Sequence, residues 1–174
     1  MKILLWILSL SVAVTATEIV LPDNFKANFT QKITNVKKSS INYSGKVRFS
    51  DKRFLKWEYL KPTKKEVCTD GLELKVVDHD LEQVSSYYIN KGFNFAKILK
   101  KAKKHSKNIY VAHYQNRSYT IQVNSKKQLQ SIAYFDDLDN KVQIVFKSIH
   151  YGKGKLSKKS MQCYSPKNYD KIEG

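Results

Sequence analysis

Cysteine, histidine, glycine and acidic side chains are all scarce in this 174-residue chain, and each scarcity closes off a class of protein. Only Cys68 and Cys163 occur. A disulfide framework is therefore excluded, and what is left is one bridge or two buried thiols. Neither cysteine follows the N-terminal apolar run, so lipidation of a cysteine there is excluded too. The four histidines, His79, His105, His113 and His150, show no metal-ligand spacing with a carboxylate or cysteine partner. The six glycines form neither a phosphate-cradling loop nor a GxSxG elbow. Asp136, Asp137, Asp139 and Asn140 lack the glycine and closing glutamate of a calcium loop and read as a hairpin turn. No nucleophile–base pair stands out. The chain thus nominates no catalytic residue, no metal and no cofactor, and it does not read as an enzyme.

Long hydrophobic runs are missing as well, apart from Ile3–Val14, which is too short to span a bilayer. Met1 and Lys2 precede it and Val14-Thr15-Ala16 follows, the order of a secretory signal peptide. The expected division is a leader at residues 1–16 and a single domain at residues 17–174, with no linker or repeat inside it. Fifteen acidic against 32 basic side chains give a net charge of +17. In an exported chain that balance points to anionic head groups or acidic partner surfaces, or simply to solubility, and away from nucleic acid.

What the chain has in abundance is alternation. Phe25, Ala27, Phe29; Tyr43, Gly45, Val47, Phe49; Leu55, Trp57, Tyr59; and Leu72, Leu74, Val76 recur at every second position. Lys26, Asn28, Lys46, Arg48, Lys56, Glu58, Glu73 and Lys75 lie between them. Period two puts the first set on one face of a sheet and the second on the other. Strands are expected at about Phe25–Asn35, Ser40–Ser50, Arg53–Leu60, Glu66–Thr69, Leu72–Asp78 and Gln83–Asn90. Four more follow at Ile109–Gln115, Arg117–Asn124, Leu129–Asp136 and Lys141–His150, and Met161–Tyr164 could add a last one before Pro166. Between the two groups Phe95, Ile98, Leu99 and Ala102 follow a helical spacing, predicting one amphipathic helix over Phe93–His105. About ten or eleven strands with one helix is the inventory of a mainly β, strongly curved antiparallel sheet or barrel. One helix is too small to cover so many strands. Either the sheet curls on itself or the helix leaves a cavity.

The order of the motifs resembles the periplasmic outer-membrane lipoprotein carrier family, LolA. FKANFTQ is similar to its F-x-A-x-F-x-Q opening. Gly45, an arginine before Phe54, Trp57-Glu58-Tyr59, Pro62, Asp70-Gly71, DHDLEQV, Ile98-Leu99 and IAYFDDLDNKVQIVF follow in order, and Met161–Asp170 looks like the closing segment. The resemblance implies an incomplete antiparallel β-barrel with a helical lid over an apolar cavity. It implies a monomeric periplasmic carrier that takes acylated lipoproteins from an inner-membrane ABC transporter to an outer-membrane acceptor. A different apolar ligand on the same half-barrel, bound or sensed, is the alternative. Phe25, Phe29, Val47, Phe49, Leu55, Trp57, Tyr59, Leu74 and Val76 are expected to line the cavity, and Phe95, Ile98 and Leu99 to form the lid. The family closes its lid with a basic residue shortly before the tryptophan, which points to Arg53. Only Thr17–Asn24 precede the first strand, so the family's N-terminal helix is nearly absent and Phe93–His105 is left to do the covering.

Overall fold

The computed structural model describes residues 19–89 and 95–173. Strands run over Asn24–Thr34 (β1), Ser40–Ser50 (β2), Phe54–Lys61 (β3), Lys65–Thr69 (β4), Glu73–Asp78 (β5) and Gln83–Tyr88 (β6). The helix Phe95–Lys101 (α1) separates them from Lys103–Ser106 (β7), Ile109–Tyr114 (β8), Arg117–Val123 (β9), Leu129–Phe135 (β10) and Lys141–Gly152 (β11). A one-turn helix at Lys158–Met161 (α2) and a strand at Asp170–Glu173 (β12) complete the described chain. All twelve strands form one sheet, in the order β12-β6-β5-β4-β3-β2-β1-β11-β10-β9-β8-β7. Neighbours are antiparallel except β12, which lies parallel to β6.

The alternation explains why β1 sits at the middle. Phe25, Ala27, Phe29 and Gln31 are buried, whereas Lys26, Asn28 and Lys32 are exposed. Eleven consecutive residues of β1 pair with β2. Short carboxylates and amides close the hairpins by accepting from the backbone, as such side chains do in turns. Asp70 Oδ1 accepts from Leu72 N and Glu73 N at 2.9 and 3.0 Å, and the bond from Glu73 holds its carboxyl below the usual carboxylate range. Asp136 Oδ1 accepts from Leu138 N and Asn140 N, both at 2.9 Å, so the acidic run at residues 136–140 is the predicted hairpin turn.

Register slips between Lys26 and Asn28, between Ser44 and Gly45, and between Leu129 and Ser131 sharpen the curl, because bulges bend a strand and increase its twist. Gly45 is indispensable to this bend. A Cβ at that position would sit 1.9 Å from Glu58 O and 2.9 Å from a Phe29 ring carbon. We expect Gly45→Ala to destabilise the fold by about 1–3 kcal/mol through overpacking. Chemical denaturation checks this; an unchanged unfolding midpoint would refute the close approach.

Three expectations need correction. The helix predicted over Phe93–His105 stops at Lys101, and its first two residues lie outside the described ones, as does the leader at residues 1–16. Lys103 and Lys104 pair with Val111 and Tyr110 instead. The turn at residues 107–108 is short enough to fold them back as an edge strand. Met161–Tyr164 is not a strand: Ser157 caps α2 by accepting from Ser160 N, and the final strand falls beyond Pro166. Among the described residues twelve strands therefore stand where ten or eleven were expected, the short edge strands β7 and β12 being too polar to announce themselves.

The core fills the concave side of the sheet. Phe25 stacks on Phe49 with ring centroids 5.3 Å apart, and Phe29 meets Trp57 edge-on at 4.8 Å. Such pairs are worth about 0.5–1.5 kcal/mol beyond the area they bury. Ile19 and Leu21 pack on the same cluster without forming a helix.

Candidate functional site

Concave-face side chains come from both halves of the sheet, and α1 lies across them. Phe95, Ala96, Ile98 and Leu99 are buried, while Lys97 and Lys100 stay in water. The Phe95 ring sits 5.9 Å from Phe25 and 5.7 Å from Phe49. Helical spacing puts these apolar residues on one side of the helix, and the aromatic floor of β1 and β2 is the surface they meet. Lys101 closes the end of the helix with its ammonium 5.4 Å from the Tyr114 ring.

The structure brings together Phe25, Phe29, Val47, Phe49, Leu55 and Trp57 beneath this helix, all of them buried. Tyr59 lies at their margin, with its hydroxyl donating to Gln31 Oε1 at 2.9 Å. Burial pushes that hydroxyl well above its ordinary pKa, so it remains a neutral donor and Gln31 is satisfied inside an apolar wall.

Leu74 and Val76 lie on the same face but outside the roof. Register carries the concave face from Trp57 to Val67 and on to Val76, and from Leu55 to Thr69 and Leu74. There Val67, Leu74 and Val76 are only half-buried, and Tyr87, opposite Leu74, is 43% exposed. The fully buried residue of β5 is Val77, on the opposite face. The concave side thus has two parts: a floor closed by α1 and an open apolar shelf on β4–β6. Val67 and Tyr87 belong to the shelf and were missed by the sequence reading. Their signal was phase: each alternates with a neighbour on the other face, but in strands too short to stand out.

Arg53, expected to close the lid, makes its described contacts elsewhere. It stands in the β2–β3 turn with its guanidinium 4.6 Å over the Phe54 ring. Among the described residues no hydrogen bond or ion pair joins it to α1. It lines instead a convex-side cavity of about 430 Å³, with Asp70, Lys75 and Met161.

Cys68 and Cys163 form a disulfide with Cα atoms 5.7 Å apart, 95 residues apart in sequence. It bolts the segment after α2 to the convex side of β4. Next to it Lys56 is buried, with Nζ 2.8 Å from Glu66 Oε2 and 2.7 Å from Gln162 O. Glu66 also accepts from Tyr164 N at 2.9 Å. Glu66 and the two sulfurs lie close together, but sulfurs spent on a disulfide are not thiolate ligands.

An open, curled antiparallel sheet with an apolar concave face, roofed among the described residues by one short helix, defines an open half-barrel. Among the described residues no helix is long and apolar enough to cross a membrane. The family model described as outer membrane lipoprotein carrier protein LolA matches residues 22–159, and the chain belongs to this family. An outer-membrane lipoprotein carrier protein of Campylobacter jejuni is 36% identical over 148 residues, covering 85% of each chain. Its namesake in Wolinella succinogenes is 29% identical over 145 residues, covering 83% of each. Among solved structures, an uncharacterized conserved protein from Thermus thermophilus superposes with a TM-score of 0.56 at 11% identity, over 88% of this chain and 92% of that one. A LolA superfamily protein from Nitrosomonas europaea gives 0.50 at 10% identity, over 85% and 94%. These two likenesses speak to the fold.

Proposed function

We propose that this protein is a periplasmic carrier of outer-membrane lipoproteins. It accepts the acyl chains of a lipoprotein released by an inner-membrane ABC transporter, shelters them on its concave face and passes them to an outer-membrane acceptor, working as a monomer without catalysis. The observation that carries this reading is the roofed aromatic floor continued by an unroofed apolar shelf. Burying methylenes is worth about 0.8 kcal/mol each, so a sixteen-carbon chain gains roughly 12 kcal/mol by leaving water. The shelf of Val67, Leu74, Val76 and Tyr87 offers a first landing place for such a chain. The floor beneath Phe95, Ile98 and Leu99 offers the rest once the helix lifts. Stiff aromatic walls conform to no single chain shape, which suits many cargoes and ready release.

Depletion of the protein tests the reading directly. We expect outer-membrane lipoproteins to accumulate in the inner membrane, and the wild-type chain to restore their sorting. Val76→Glu, at a half-buried position on the shelf, is expected to fold, as circular dichroism would check, and to fail to restore it. Normal sorting under full depletion would refute the carrier reading. Free lipid in place of acylated polypeptide, extracted from the purified protein, would favour a different apolar ligand.

A further inference from the structure

On the convex face, directly behind the apolar floor, β11, β1 and β2 run side by side. Their register sets His150, Lys26 and Arg48 in one cross-strand row and Lys147, Asn28 and Lys46 in the next. Like charges placed directly opposite one another weaken a sheet; here Lys26 faces Arg48 directly, and Lys46 and Lys147 flank Asn28 in the next row. The carboxylate opposite Lys46 in β3 is Glu58. It is already engaged by Arg48 at 3.0 Å and Lys56 at 3.4 Å. Among the described residues no carboxylate pairs with Lys26, Lys46 or Lys147.

The bulge turns this charged surface into a concavity. Between Lys26 and Asn28 the β1–β11 ladder slips, and Ser148 takes a φ of +50°. His150 Nδ1 donates to Ser148 O at 2.8 Å, which leaves Nε2 of an exposed ring outside that bond. The result is a pit of about 250 Å³ lined by Lys26, Asn28, Lys46, Arg48, Ser148 and His150.

We propose that this pit binds a phosphate group, either free phosphate or the phosphodiester of an anionic phospholipid head group. Five of the polar side chains around it can donate: two ammonium groups, a guanidinium fork with donors to spare beyond Glu58, an amide and a hydroxyl, while the His150 imidazole spends its Nδ1 proton on Ser148 O. They approach from three strands, an arrangement that suits the tetrahedral oxygens of phosphate better than a planar carboxylate. Charge-assisted bonds of this kind are the strong ones. A bound phosphate would also relieve the like-charge rows. The site lies on the face opposite the acyl-binding floor, so both can be filled at once, and it does not depend on the carrier reading.

Titration calorimetry of the full exported protein with inorganic phosphate at low salt tests the site. Flotation with phosphatidylglycerol vesicles, against phosphatidylcholine vesicles, separates the two sources. The pit variant is Lys26→Gln with Lys46→Gln. The charge-matched control is Lys103→Gln with Lys104→Gln, two exposed lysines on the distant edge strand β7. We expect the pit variant to weaken binding at least tenfold and the control to leave it within twofold. Pit-dependent binding of inorganic phosphate alone assigns the site to free phosphate; pit-dependent flotation with phosphatidylglycerol assigns it to the head group. Equal losses in the two variants, or no binding of either probe, would overturn the proposal and reduce the patch to diffuse surface charge.

Discussion

Replacing Cys68 and Cys163 together by alanine is expected to lower the stability of this protein more than any surface change. The bridge closes a loop of 95 residues. In the chain-entropy model a loop of that length restricts the unfolded state by about 4.7 kcal/mol, and removal of a native disulfide commonly costs about 2–5 kcal/mol. For a domain of this size that corresponds to a fall in melting temperature of roughly 5–20 °C. The native state loses as well, because the bridge holds the chain whose Gln162 carbonyl caps the Lys56 ammonium. A buried ammonium short of acceptors is costly. Thermal melts with and without reductant provide the measurement. A melting temperature within 2 °C of wild type would show that packing alone holds the C-terminal segment. Acyl binding should survive, since the bridge lies on the convex side.

The second large effect carries opposite signs for stability and binding. Phe95→Ala deletes the ring that α1 packs against both Phe25 and Phe49, a buried loss of about 3–5 kcal/mol. On the proposed carrier function, the same ring occupies floor that an acyl chain would take. If the helix must lift before cargo enters, the apparent affinity is reduced by the small fraction of molecules with the roof open. Weakening the roof raises that fraction. We therefore expect the variant to melt roughly 6–20 °C lower yet to bind a fluorescent fatty-acyl probe at least tenfold more tightly. Weaker binding along with lower stability would make Phe95 part of the binding wall and end the displacement mechanism.

The strand phases of the first half were legible in the sequence because alternation is a local property. Phe25, Phe29, Val47, Phe49, Leu55 and Trp57 were placed on one face by spacing alone, and that face is where they lie. The reading faltered where local signals were short or shared. Leu72 continues the alternation of Leu74 and Val76, yet it is 68% exposed in the turn after Gly71. Lys103 and Lys104 extend a lysine-rich helix on paper, but pairing with β8 claims them as a strand. Arg53 precedes Trp57 in sequence, and its guanidinium lies over the Phe54 ring, beside Asp70 and Lys75.

From the sequence alone came the apolar and polar faces of each strand, the amphipathic segment that roofs one of them, and the motif order of the family. These depend on side-chain period and on neighbours a few residues apart. Only the tertiary structure decided which part of the greasy face is closed floor and which is open shelf: Phe95 of α1 packs on Phe25 and Phe49 of β1 and β2, while Val67, Leu74 and Val76 on β4 and β5 stay half-buried. The tertiary structure alone also joined Cys68 to Cys163 and lined up lysines from three strands behind the floor. Such contacts arise between separate segments of the chain, 95 positions apart for the two cysteines, where register and curl, not local spacing, set who meets whom.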